Sequence, residues 1–132
     1  MQQFKIDAWE GAALVRIFGP VSLDGLRRMR AEVSRLAMLH EVRRVLCDTL
    51  SAAILLGPRE WETYSQEACS EHAMGVPIAY LVHDGAYLDV CDLCDELNEV
   101  GRIALAFTAS APAYEWLALP DSQPAVRREF AF

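Results

Sequence analysis

Phe4, Ile6 and Ala8 alternate with Lys5, Asp7 and Trp9, a period of two that predicts a strand at the start of the chain. Glu10-Gly11 then reads as a turn into the apolar run Ala12 to Phe18, so the sheet is expected to open with a hairpin that ends at Gly19-Pro20. From Ser22, a natural N-cap, Leu26, Met29, Val33 and Leu36 recur every three to four residues, with Arg27, Arg28, Arg30 and Arg35 off that stripe. Val45-Leu46-Cys47 predicts a short strand buried on both faces. Gly57-Pro58 opens a second helix with Trp61, Tyr64 and Ala68 on one side.

A strand from Ile78 to Val82 follows, then a third helix over about 85–100. At 100° per residue Tyr87, Val90, Cys91, Leu93, Cys94 and Leu97 fall together, and Asp89, Asp92, Asp95, Glu96 and Glu99 share the opposite, exposed face. Ile103 to Phe107 is the last strand expected. Ser110 and Pro112 begin a final helix through Trp116-Leu117 that Pro120 stops. The pattern is one α/β domain: a mixed sheet opened by a β-hairpin, followed by three strand-helix units. It spans residues 1–119, and 120–132 form a C-terminal tail. Trp61 and Trp116, each on an apolar stripe, are expected in the core.

The chain has 132 residues, enough for a single domain to bury a core without disulfides or metal. Four cysteines without a basic-then-apolar leader point to a reducing cytoplasm, and no apolar run approaches the roughly 18 residues of a membrane span. Residues 1–44 carry eight basic and five acidic side chains, net +3, whereas residues 45–132 carry four and fourteen, net −10. So acidic a surface would be repelled by a phosphate backbone, which excludes nucleic acid as the expected partner. Hydrophobic residues make up 53% of the chain, and with glycine about 58%, above the roughly 45–50% of typical soluble domains. Leu50 to Leu56 is unusually apolar for a loop after a strand, so Leu50, Ile54, Leu55 and Leu56 are the expected interface of a two-fold homodimer.

The hairpin and three strand-helix units match the order found in STAS or SpoIIAA-like domains of bacterial regulators, and several stretches extend the match. They are Gly19-Pro20-Val21-Ser22, Val45-Leu46-Cys47-Asp48, Pro77-Ile78-Ala79-Tyr80-Leu81-Val82, and Phe107 with Ala113-Tyr114-Glu115-Trp116-Leu117. The chain resembles that group over about residues 3 to 119. The resemblance implies a sheet with helices mainly on one face, and a cytoplasmic regulatory module that binds an unidentified protein rather than an enzyme. The better-known members are anti-sigma factor antagonists switched by phosphorylation of a Ser near the start of the second helix. Aligned from Asp48, that segment falls on Leu56-Gly57-Pro58-Arg59, which has no hydroxyl. Related one-face α/β domains also resemble lipid-binding CRAL-TRIO proteins, so a carrier or sensor of a small apolar, lipid-like ligand is the alternative.

Candidate chemistry is sparse. Cys69-x2-His72 and Cys91-x2-Cys94 satisfy zinc spacing, but His72 and Cys94 project into the middle of apolar stripes, so packed thiols are expected and no metal. Cys91 lies about two turns inside its helix among Asp89, Asp92 and Asp95, the wrong place for a redox thiolate. Asp48, Thr49, Ser51, His83, Asp84, Thr108 and Ser110 gather at the C-terminal ends of the parallel strands, where open α/β sheets bind their partners. They form the expected ligand or partner ridge. No nucleophile motif, phosphate-cradling loop or cofactor fingerprint accompanies them, so no catalytic residue and no cofactor is assigned.

Overall fold

The computed structural model describes residues 4–9, 11–39, 42–70, 76–119 and 128–130. In chain order the elements are β1 (Phe4–Trp9), β2 (Ala12–Val21), α1 (Leu23–Leu39), β3 (Arg44–Ile54), α2 (Pro58–Ser70), β4 (Ile78–Leu81), α3 (Asp84–Glu99), β5 (Ala104–Phe107), α4 (Ser110–Trp116) and β6 (Arg128–Phe130). They build one six-stranded sheet in the order β5-β4-β3-β2-β1-β6. β1 is antiparallel to β2 and to β6, and β2 through β5 are parallel. This is the mixed sheet that the hydrophobic pattern predicts, with one more strand, because residues 128–130 of the tail pair with Ile6, Asp7 and Ala8.

Three successive crossovers step the chain from β2 to β5 in one direction. Right-handed connections of that kind lay their helices on the same face. The alternating side chains of the sheet accordingly serve two cores. Val15, Ile17, Val45, Cys47, Ala104 and Ala106 meet the stripes of α1, α2 and α3. Ala12, Leu14, Leu46, Ala79 and Leu81 meet Ala113, Tyr114 and Leu117 of α4 on the opposite face. The predicted stripe residues Leu26, Met29, Val33 and Leu36 are all buried, as are Val90, Leu93, Cys94 and Leu97.

Helix ends are satisfied locally. The Gly25 N–H donates to Ser22 Oγ at 3.3 Å, so Ser22 caps α1 as its side chain suggests. α3 ends in a Schellman motif, with Gly101 at φ +88° and the Arg102 N–H donating to the Leu97 carbonyl. Asn98 then ties α3 to β5, accepting from the Ala104 N–H and donating to the Ala104 carbonyl. α4 ends in the same way, but its left-handed position is Ala118 at φ +57°, where a Cβ is unfavourable. Arg44 donates from Nη1 to the carbonyls of Leu117 (3.0 Å) and Ala118 (3.1 Å), holding that turn over the sheet.

Four expectations are corrected. Gly19-Pro20 does not stop β2, which continues to Val21; among the described residues β1 pairs only as far as Ile17, so Pro20 has a described strand neighbour on one side and its missing N–H is tolerated. The strand at Val45-Leu46-Cys47 is not short. Most of Leu50 to Leu56 is not a loop: β3 runs on to Ile54, paired with β2 over Ser51 to Ile54, and of this segment Leu55 and Leu56 alone belong to the connection to α2. Trp116 is not a core residue but 36% exposed, leaning on Phe107 with ring centroids 5.8 Å apart, because α4 is short and presents Ala113, Tyr114 and Leu117 to the sheet instead.

The strain at Ala118 gives a direct test. Replacing Ala118 by Gly is expected to raise the urea midpoint, a gain of up to about 1 kcal/mol, because glycine adopts the left-handed conformation without steric cost. Equilibrium unfolding of the two proteins measures it.

Candidate functional site

Among the described residues the sheet narrows to two strands beyond Ile17 and Asp48. The described part of β1 pairs as far as Ile17 and β4 as far as the Asp48–Leu81 step, while β2 and β3 continue together through Phe18–Ser51 to Val21–Ile54. The result is a two-stranded parallel ribbon projecting past the sheet. A register shift marks its root: Arg16 pairs with Asp48 but Phe18 with Ser51, so Thr49 and Leu50 together oppose Ile17. One extra residue of this kind is a β-bulge, and it reverses which side chains face which way.

The ribbon therefore has two different faces. Toward the helices Val21 and Ala52 are buried, and Ile54 and Leu56 pack on the core. On the other face Phe18 (40%), Leu50 (36%) and Leu55 (61%) are exposed, together with Pro20, Ser51 and Ala53. The four interface residues expected from sequence thus divide, Ile54 and Leu56 inward, Leu50 and Leu55 outward.

The polar ridge divides too. Thr49 is buried and donates its hydroxyl to the Leu81 carbonyl at 2.9 Å. Asp48, one residue earlier, points to the α4 side, where its carboxylate accepts from the Leu50 N–H at 3.0 Å and lies 3.7 Å from Arg16 Nε. Ser51 lies on the exposed ribbon, Asp84 in the first turn of α3, Thr108 after β5 and Ser110 at the start of α4, all exposed. Of the ridge residues, Thr49 and His83 line one cavity together. It is a cleft of about 360 Å³ between β3, Trp61 of α2 and the N-terminal turns of α3, with Gly85, Ala86 and Asp89 on the α3 side. Trp61 and Asp89, read from sequence as core and solvated face, are the residues missed here. Asp89 lies four residues after Gly85, hence on the same helix face, which is the signal that places it.

α2 is held in position by charge as well as by packing. Arg27 of α1 donates from Nε and Nη2 to both Glu67 oxygens, at 2.8 and 2.6 Å, and Arg30 lies 3.6 Å from the same carboxylate with its guanidinium 4.7 Å from the Tyr64 ring centroid. At the start of α2, Trp61 N–H donates to the Gly57 carbonyl and Glu60 reaches back to accept the Gly57 N–H at 3.0 Å. The segment Leu56-Gly57-Pro58-Arg59 therefore carries a carboxylate of its own at the helix N-terminus.

Cys47 and Cys94 lie in the helical-side core, and burial pushes both thiols up to about 12. Cys69 and Cys91 are half-buried, and all four are free. His72 lies outside the described residues. Among the described residues no three His, Cys, Asp or Glu side chains converge as metal ligands would.

The arrangement defines an open α/β domain whose exposed groups gather at the carboxyl ends of its parallel strands. No protein-family model and no curated protein matches the sequence. Among solved structures the fold is similar to that of the anti-sigma factor antagonist SpoIIAA in its unphosphorylated form, with a TM-score of 0.55 and 12% identity over 87% of this chain and 97% of that one. The chain has the SpoIIAA-like, STAS-like fold that its motifs resemble.

Two tests follow from the site. The Arg27 hydrogen bonds hold the Glu67 carboxyl below its usual value of 4.5, so the pair stabilises the folded chain above that pH and is lost as pH falls through the depressed value. Glu67→Gln should make the acid limb of a stability–pH curve shallower. At pH 8 folded Cys47 and Cys94 remain protonated, so iodoacetamide should label them only after unfolding, as peptide mass spectrometry would report.

Proposed function

We propose that this chain is a non-enzymatic, cytoplasmic regulatory module that works by protein–protein binding, and that the ribbon is its binding surface. The observation that carries this reading is the ribbon itself: among the described residues two strands continue past the pairing of β1 and β4, with Phe18, Leu50 and Leu55 exposed on one face. Natural sheets blunt such edges with charge, and Phe18 to Leu23 and Leu50 to Pro58 contain none. At net charge −7 two copies repel each other overall, and an uncharged apolar surface is where that repulsion opposes contact least, so the occupant we assign to the ribbon is a second copy, related by a two-fold axis. The SpoIIAA likeness supports a regulatory role by analogy of fold. The absence of a hydroxyl over Leu56 to Arg59, and the Glu60 carboxylate bound to the Gly57 N–H, favour binding that is not gated by phosphorylation at this point. Among the described residues no helix is long and apolar enough to cross a membrane.

Sedimentation equilibrium at micromolar concentration tests the assignment. A dimer of the 14.7 kDa chain is expected, with Leu55→Asp returning it to monomer while leaving the far-ultraviolet dichroism unchanged. A single 14.7 kDa species for the unmodified chain would overturn the homodimer, and a dimer that survives Leu55→Asp would move the interface away from the ribbon.

A second reading is favoured by the cleft: a carrier or sensor of a small ligand with an apolar body. Behind the cleft an apolar void of about 20 Å³ lies among Ile17, Leu26, Met29 and Leu93 and shares Thr49, Ile54 and Trp61 with it. The cleft's volume falls in the range of small-molecule sites.

A further inference from the structure

The cleft beside the ribbon carries a charge pattern that narrows its ligand, and the inference rests on the small-ligand reading above. We propose that it binds a small organic monocation, a protonated amine carrying a compact aliphatic or aromatic body. The walls formed by Ile54, Leu56, Trp61 and Ala86 offer apolar contact over a space of about 360 Å³, which suits a molecule of ten or so heavy atoms by the usual scale of ligand pockets. The void behind Ile54 and Trp61 gives the body room for about one methyl group.

Polarity then selects the head group. Thr49 has its hydroxyl committed to the Leu81 carbonyl, which leaves His83, Asp89 and the indole N–H of Trp61 as the polar side-chain groups of the lining, with Asp89 the one that carries a negative charge. Asp89 is the one carboxylate there, and no ion pair is formed by it among the described residues. The N-terminus of α3 by itself favours an anion, but Asp84 in its first turn already answers that dipole. With Asp92 and Asp95 on the same helix and a net −10 over residues 45–132, a ligand carboxylate or phosphate would be repelled. A cation gains Asp89 as its counter-ion and the Trp61 indole as a polarisable neighbour, and its apolar body covers the wall.

The test is a titration of ¹⁵N-labelled protein with 2-phenylethylamine hydrochloride at neutral pH, followed by backbone amide shifts. 2-Phenylethanol and 3-phenylpropionate serve as neutral and anionic counterparts, and Nα-acetyl-lysine N-methylamide stands for a lysine side chain of a partner protein. The amine is expected to shift the amides of Gly85, Ala86 and Asp89 and to bind about tenfold more tightly than the alcohol. Asp89→Asn should reduce the amine to the affinity of the alcohol without changing the affinity of the alcohol itself. Equal binding of amine and alcohol in the cleft would overturn the cation assignment and leave the small-ligand reading standing. Stronger binding of the carboxylate would overturn it as well. Tighter binding of the lysine amide than of phenylethylamine would give the site to a partner's side chain and overturn the small ligand. No cleft shift with any probe at millimolar concentration would overturn both the assignment and the reading beneath it.

Discussion

The extra residue of β3, set between Asp48 and Ser51 opposite Ile17, decides which side chains meet the helices beyond that point. Side chains on a strand alternate faces, so an insertion of one reverses every later assignment. Val45, Cys47 and Thr49 point to the helical core before the bulge, and Ala52 and Ile54 do so after it. Without that reversal Ser51, Ala53 and Leu55 would enter the core and Ala52 and Ile54 would face solvent. The wall of the cleft and the exposed apolar face of the ribbon are thus two consequences of the same local shift.

A two-stranded ribbon is marginal by itself. This one is stabilised from its helical side, where Val21, Ala52 and Ile54 join a core shared with α1, α2 and α3. The charged contacts between α1 and α2 act in the same place. Glu67 accepts from Arg27 and lies beside Arg30, whose guanidinium covers Tyr64, and so α2 is fixed with Trp61 beside β3. Exposed ion pairs contribute little to overall stability, but a two-pronged arginine–carboxylate contact sets geometry. Packing holds the ribbon, and the ion pairs set the angle at which α2 closes the cleft.

The likeness to SpoIIAA at 12% identity illustrates how little of a fold is written in particular residues. What the two chains share is an order of strands and helices, which many sequences with the same periodicities satisfy. At the strand ends of this chain the second helix begins with Gly57-Pro58 and a Glu60 carboxylate bound to the Gly57 N–H, and the third begins with His83 and Asp84 beside Gly85. Side chains at such ends decide what the end of a sheet binds while leaving the sheet intact.

The helical stripes of α1 and α3, the Ser22 cap and the hairpin at Gly11 were legible in the sequence, because each follows from a repeat of 2 or 3.6 residues or from a single residue's backbone preference, whereas the placement of three helices on one face was legible through the family resemblance alone. Of the candidate site, the sequence named Thr49 and His83, and it set Trp61 against the core and Asp89 on an exposed face, where the structure has them, but it took Leu50 to Leu56 for a loop and did not bring Trp61 and Asp89 together. The misreading of the loop has a long-range cause. Whether an apolar stretch is strand or loop depends on a partner strand far away in the chain, and β2 runs past Gly19-Pro20 only because β3 lies beside it. Trp116 failed for a similar reason, since α4 has more apolar side chains than its few residues can turn toward the sheet. The small strand at residues 128–130 has no periodic signal at all and exists through its pairing with β1. Local periodicity determined which elements form and which faces they bury. Only the pairing of distant strands decided where the sheet narrows, which way Asp48 and Thr49 part, and what the ends of β2 and β3 leave uncovered.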